Sequence, residues 1–230
     1  LDRFIEGAAD VVAEGVDLKA LEALAFPVPQ AGPMPELVPL GQSIAVAHDE
    51  AFAFVYPHML EGWRAAGASV SFFSPLADEG PDANADAVFL PGGYPELHAG
   101  KLAGNGRFRS EMLESHAEVY GECGGYMVLG QGLADADGVH HKKLGLVPVS
   151  TSFKDRKMHL GYRTLTALAG PFKGHQLLAH EFHYASVVGC EAPNLFEASD
   201  SMGSSLGVIG HSVGRVSGSF AHMIMPPRTS

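Results

Sequence analysis

Residues 117–127 read Ala-Glu-Val-Tyr-Gly-Glu-Cys-Gly-Gly-Tyr-Met: a short apolar run, a glycine-framed cysteine and the start of a second apolar stretch. Gly121 and Gly125 flank Cys123 in a G-x-nucleophile-x-G arrangement, the pattern of a sharp strand-to-helix turn that lifts a nucleophile above an α/β sheet. Such a turn crowds the backbone on both sides, and only residues without a Cβ fit there. A sulfur at a helix N-terminus also feels the positive end of the helix dipole, which favours thiolate over thiol. An isolated cysteine is usually a small buried hydrophobe. The glycine frame reverses that expectation and makes Cys123 a candidate nucleophile.

Around this turn the sequence reads as alternating strands and helices. Ser43–Ala47, Ser69–Phe73 and Asp86–Leu90 are short apolar runs suited to buried parallel strands, and Tyr56–Gly67 and Arg107–His116 carry helical patterns. A fourth strand then delivers Cys123. This order predicts an α/β fold, a mostly parallel sheet with helices on both faces. Beyond Gly132 the texture changes to turn-separated runs at 144–148, 163–167, 176–179, 181–188, 204–211 and 215–220, which predict a smaller, partly antiparallel C-terminal portion. Upstream, residues 1–25 place apolar side chains at helical spacing, and Pro27, Pro29, Pro33, Pro35 and Pro39 mark residues 26–41 as a linker. The main domain is expected over 42–230. Opening on Leu1 in a helical pattern is what a piece of a longer polypeptide would show.

The formal net charge of −11 argues against nucleic acid or an anionic membrane surface as partner. With two cysteines, Cys123 and Cys190, no disulfide framework is implied, and a reducing cytoplasm is the expected setting. No apolar run approaches the roughly 20 residues of a membrane span.

A cysteine nucleophile needs an acid/base partner, ordinarily histidine, and the chain has 12. Sites in open α/β sheets lie beyond the carboxyl ends of strands, which favours His222, just past a small-residue run. His180 and His183, in Leu-Ala-His-Glu-Phe-His-Tyr, compete with it. The spacing of these two is not that of a helical zinc motif, and residues three apart on a strand face opposite ways, so no metal is expected. The loop Pro91-Gly92-Gly93-Tyr94-Pro95-Glu96 follows a strand and could aim backbone N–H groups at a developing oxyanion, together with Gly124. Neither a phosphate-binding Gly-x-x-x-x-Gly-Lys-Ser/Thr loop nor a dinucleotide fingerprint is present.

Together, Pro-Gly-Gly-Tyr-Pro-Glu, Gly-Glu-Cys-Gly-Gly-Tyr-Met, the late Ser-Phe-Ala-His, Lys157–Arg163 and His180–Tyr184 resemble the class I (triad) glutamine amidotransferases of the cobalamin-biosynthetic type. Within that group they are similar to the C-terminal glutaminase domains of cobyrinic and hydrogenobyrinic acid a,c-diamide synthases. The resemblance covers about residues 42–225. It implies that Cys123 attacks the glutamine side-chain amide, that His222 serves as its base, and that Gly93 and Gly124 hold the oxyanion. Tyr94 and Tyr126 are candidate glutamine contacts. It further implies that residues 1–25 are the tail of an N-terminal synthetase domain, the domain's own partner. There ATP and Mg²⁺ would activate the corrinoid carboxylates, so this piece needs no cofactor of its own. The typical triad has a glutamate two residues after the histidine; this chain has Ile224, in keeping with a Cys–His dyad, and the orienting partner of His222 stays open. Alternatives are an inert module of the same fold, or a cysteine hydrolase of its peptidase/chaperone branch.

Overall fold

A computed structural model of the chain describes residues 1–27 and 37–226. Most of the proline-rich stretch expected as a linker, residues 28–36, lies outside the described residues. The chain divides into two compact units, 1–34 and 35–230. In the first, apolar residues at helical spacing form α1 (Asp2–Gly15) and α2 (Leu18–Ala23), neither of which buries a residue. Asp17 caps α2 by accepting from the N–H groups of Lys19 and Ala20.

In the second unit the chain runs β1 (Ser43–Ala47), α3 (Pro57–Ala65), β2 (Ser69–Phe73), β3 (Ala87–Leu90), α4 (Ala99–Gly104), α5 (Gly106–Glu114), β4 (Glu118–Glu122) and α6 (Gly124–Leu129). There follow β5 (Gly132–Ala134), β6 (His140–Lys142), β7 (Val149–Ser152), β8 (His159–Ala167), β9 (Gln176–His183) and β10 (Ser186–Cys190). The last strands are β11 (Phe196–Ser199), β12 (Ser205–Ile209), β13 (His211–Val213), β14 (Val216–Ser219) and β15 (Ala221–Met225).

The main sheet has the order β13-β14-β4-β3-β1-β2, parallel except for β13 at one edge. Its strands are short and apolar because both faces are covered. On one face Leu102 of α4, Phe108 and Met112 of α5 and Leu129 of α6 pack against Ala45, Val88 and Leu90. On the other, Met59, Leu60 and Trp63 of α3 share a core with Ile44, Val46 and Phe89. Helices on both faces of a mostly parallel sheet are therefore observed.

The C-terminal portion is larger than the sequence suggests. A five-stranded antiparallel sheet, β12-β11-β8-β9-β15, contributes Leu165, Leu177, Phe196 and Met223 to the α3 side of the core, and a four-stranded mixed sheet, β10-β7-β5-β6, is interleaved with it in sequence. Two expected strands are corrected. Residues 144–148 are not a strand, because the N–H groups of Leu144 and Leu146 donate to the Val128 and Leu129 carbonyls at the end of α6. The run 181–188 is broken: β9 ends at His183, and β10 starts at Ser186 in a different sheet.

Candidate active site

Cys123 sits between the last residue of β4 and the first of α6 with φ 46° and ψ −103°, a left-handed backbone that side chains disfavour. Strain of this kind, about 1–3 kcal/mol, persists only where the surroundings enforce it. Here the Cys123 N–H donates to the Ser219 carbonyl at 2.8 Å, and the Gly125 N–H to the Pro91 carbonyl at 3.0 Å. The glycine frame is enforced as well. A Cβ on Gly121 would stand 2.6 Å from the Leu129 side chain, and one on Gly125 would fall on the Leu90 carbonyl.

β3 delivers the Pro91–Glu96 loop onto this turn. A Cβ on Gly124 would come 3.0 Å from the Gly93 nitrogen, and one on Gly93 would strike the Ala51 carbonyl. The backbones of Gly93 and Gly124 are thus close-packed neighbours, with the Pro95 ring beside them. Tyr94 is half-exposed and meets Phe54 edge-on at 5.1 Å. Tyr126 is buried; its hydroxyl is bonded to His211 Nδ1 and its ring packs against Phe220.

His222 is 2% exposed; it lies just past the end of β14, where the small-residue run stops, and is also the second residue of β15, a strand the sequence did not reveal. The chain leaves β14, which pairs with β4, crosses at Phe220 and joins β9 in the antiparallel sheet. That switch brings His222 beside the turn: its Nδ1 lies 3.8 Å from Glu122 Oε2 and 3.5 Å from the Tyr56 hydroxyl. His180 is its cross-strand partner; the two rings stack in parallel at 4.7 Å, and His180 Nε2 is 2.7 Å from the Tyr56 hydroxyl. His183 faces the other way, as strand alternation requires. It stacks on Phe220 at 3.9 Å and on His159 at 4.6 Å, with Nε2 2.9 Å from Glu181 Oε1.

His159, Glu181 and His183 have donor atoms within 4.8 Å of one another, a grouping supplied by two strands that the run His180–Tyr184 does not reveal. Glu181 is already engaged, with Arg163 Nε and a second guanidinium nitrogen both 2.8 Å from Oε2. The group is a hydrogen-bonded ion-pair network.

Burial dominates the electrostatics. It pushes the Cys123 thiol up to about 12, with the Gly124 N–H pulling the other way and the Glu96, Glu122 and Glu181 carboxylates adding to the rise. The thiolate expected from the helix dipole is therefore not the resting form: α6 has six residues, all buried, and loss of solvent outweighs the dipole. Burial likewise pushes His222 down to about 3, helped by His180 and His183 and opposed by Glu181. It raises Glu122 to about 8 against the Met223 N–H. Glu122 and Tyr56 are the residues that sequence reasoning missed. The signal for Glu122 was available: it is a carboxylate at the buried end of an apolar strand, beside the cysteine.

These shifts imply a pH dependence of stability. Between 4.5, the ordinary carboxyl value, and about 8, the folded chain keeps a Glu122 proton that the unfolded chain has lost, so stability falls as pH rises. Between about 3 and the ordinary 6.5, His222 has the opposite effect. Where the two windows overlap they offset each other, and above 6.5 Glu122 acts alone. Thermal unfolding should therefore drop from pH 6.5 to 8, and Glu122→Gln should flatten that slope. A wild-type melting temperature that climbs through this interval would contradict the burial of an uncompensated carboxyl.

Residues 43–229 match the CobB/CobQ-like glutamine amidotransferase domain. The hydrogenobyrinate a,c-diamide synthase of Brucella abortus biovar 1 (strain 9-941) is 55% identical over 231 residues, covering 97% of this chain and 53% of that protein. The synthase of the same name from Rhodobacter capsulatus is 48% identical over 230 residues, with the same shares covered. The chain thus spans about half the length of the curated relatives it matches. A glutamine amidotransferase from Thermotoga maritima shares the fold, with a TM-score of 0.50 at 17% identity over 78% of this chain and 74% of that one. With the domain match covering most of the chain and relatives at about half identity along nearly all of it, the chain belongs to the CobB/CobQ-like glutamine amidotransferase domains.

Proposed function

We propose that this chain hydrolyses glutamine and supplies the ammonia for ATP-dependent amidation of the a and c carboxylates of a corrinoid, with hydrogenobyrinic acid as the acceptor. The observation that carries the first half is the Cys123 turn with its φ of 46°, with the Gly93 backbone packed against Gly124 and the thiol facing the Phe182 carbonyl of β9. The name shared by the Brucella and Rhodobacter relatives supports the second half and favours hydrogenobyrinic over cobyrinic acid.

In this reading the Cys123 thiol gives its proton to His222 as its sulfur attacks the glutamine amide carbon. The carbonyl oxygen gains the negative charge and is held by the Gly93 and Gly124 N–H groups. The carbon–nitrogen bond breaks, His222 returns the proton to the departing nitrogen, and ammonia leaves a thioester on Cys123. Water then attacks that thioester, again through His222, and releases glutamate. Tyr94, half-exposed beside Gly93, is placed to contact glutamine, whereas the Tyr126 hydroxyl is committed to His211. ATP with Mg²⁺ would supply activation of the acceptor carboxylates. The chain has no phosphate-binding loop, and none of the steps above runs through ATP.

In this reading the Cys123 thiol, pushed up by burial to about 12, and the His222 ring, pushed down by burial to about 3, rest in their neutral forms. Turnover then requires a change that lets the pair exchange a proton, the gating expected of a site whose product would otherwise be wasted. Ammonia release from glutamine is the test, measured for this chain alone and for a polypeptide of the relatives' full length with ATP and hydrogenobyrinic acid. Little or no release from the chain alone and at least about tenfold more from the complete system is expected. Equal turnover in both would remove the gating, and absence of release in both would remove the function.

A further inference from the structure

We propose that Glu122 is the positioning residue for His222: its carboxylate takes the Nδ1–H of the ring and leaves Nε2 as the nitrogen that exchanges a proton with Cys123. The inference rests on the amidotransferase reading above and fills the place that Ile224 leaves vacant, since an aliphatic side chain offers the ring no acceptor.

Three observations carry it. Glu122 is completely buried, and its Oε1 accepts the N–H of Met223 at 3.0 Å, which ties the carboxylate to the residue next to His222. Its other oxygen, Oε2, is buried with no hydrogen-bond partner and stands 3.8 Å from His222 Nδ1. Buried carboxylate oxygens are rarely left unpaired, and catalytic hydrogen bonds are often long before substrate binds and tighten afterwards. Finally, the competing groups are occupied. The Tyr56 hydroxyl, 3.5 Å from Nδ1, makes its shorter contact of 2.7 Å with His180, and Glu181 is held by His183 and Arg163.

The proton accounting follows. When the Cys123 S–H proton moves to Nε2, the ring becomes an imidazolium whose Nδ1–H faces Glu122. The new S–C bond forms at the glutamine amide carbon. When the C–N bond breaks, the Nε2 proton leaves with ammonia, and the Nδ1 proton stays where Glu122 holds it. Closing the 3.8 Å gap would favour the ionised carboxylate and offset the rise that burial imposes on it.

The groups facing His222 are Glu122 on β4, His180 on β9 and Tyr56 ahead of α3, with His183 and Glu181 of β9 acting at longer range. The test compares Glu122→Gln, Glu122→Asp and Tyr56→Phe. It measures glutamine hydrolysis by the full-length system and alkylation of Cys123 in this chain by a glutamine analogue whose side-chain amide is replaced by a chloromethyl ketone, both across pH. Gln keeps the acceptor for the Met223 N–H but removes the charge. It should lower kcat by at least about 100-fold, the scale of acid–base assistance, with KM for glutamine nearly unchanged. Its alkylation rate should follow only the ionisation of the thiol. Glu122→Asp, which keeps the charge, should retain the wild-type pH profile at a lower rate, and it keeps the test decisive if the Gln variant unfolds. Tyr56→Phe should lose only a few-fold. A Glu122→Gln protein with wild-type kcat and pH profile, an Asp variant that loses the wild-type profile, or a Tyr56→Phe protein that carries the loss instead, would overturn the assignment. A wild-type protein that neither hydrolyses glutamine nor is alkylated at Cys123 would overturn the amidotransferase reading beneath it.

Discussion

Gly125→Ala is expected to prevent the chain from reaching its folded state. The added methyl would fall on the Leu90 carbonyl of β3, a backbone atom with no rotamer to escape into. Relief would require α6 to move away from β3, but the Gly125 N–H is bonded to the Pro91 carbonyl and every residue of α6 is buried. Overpacking against a flexible side chain costs about 1–3 kcal/mol, and a clash with fixed backbone costs more. The total stability of a domain is only about 5–15 kcal/mol. Gly62, inside α3, is the control: a Cβ there meets nothing within 4 Å, so Gly62→Ala should stabilise by about 0.5–1 kcal/mol through helix propensity alone. Soluble yield and thermal unfolding of the two variants check the pair. A Gly125→Ala protein that melts like wild type would show that the elbow tolerates a Cβ.

Much of the main sheet was legible in the sequence because a parallel strand covered on both faces leaves an unbroken apolar run. β1 and β2 were read with their observed ends, and β3 within one residue. The elbow was legible for a related reason, since a backbone without room for a Cβ leaves glycines behind. The antiparallel sheet was less so. Its strands are buried on one side only: β9 buries Leu177 and Ala179 but turns His180 and Glu181 toward other groups, and short runs of that kind break the pattern. β15 went unread because no turn signal separates Ser219 from Ala221, although the chain changes sheets there. That crossing sets His222 against Glu122, a contact between residues 100 positions apart (222 − 122 = 100) that no local pattern encodes. The thiol was misjudged for a physical reason. The helix dipole is visible in a sequence, whereas the burial that opposes it depends on what packs around the turn.

The choice between the two cysteines tests the central claim, that Cys123 is a nucleophile reached through glutamine recognition. Both thiols are free; Cys190 is exposed on β10, and Cys123 is 3% exposed with its thiol pushed up to about 12. A small unselective alkylating agent should therefore modify Cys190 first, because reactivity follows thiolate fraction and access. A glutamine-shaped chloromethyl ketone should invert that order. Its ketone oxygen, standing where the side-chain amide oxygen would, would be held by the Gly93 and Gly124 N–H groups, and the sulfur would attack the chloromethyl carbon, His222 taking the thiol proton as the S–C bond forms and chloride leaves. The preference for Cys123 over Cys190 should reach at least about 100-fold, and excess glutamine should suppress it. Peptide mass spectrometry of the chain after treatment with each reagent gives the answer directly. Modification at Cys123 with Cys190 spared, protected by glutamine, is the predicted result; modification of Cys190 alone by the glutamine analogue would contradict the account.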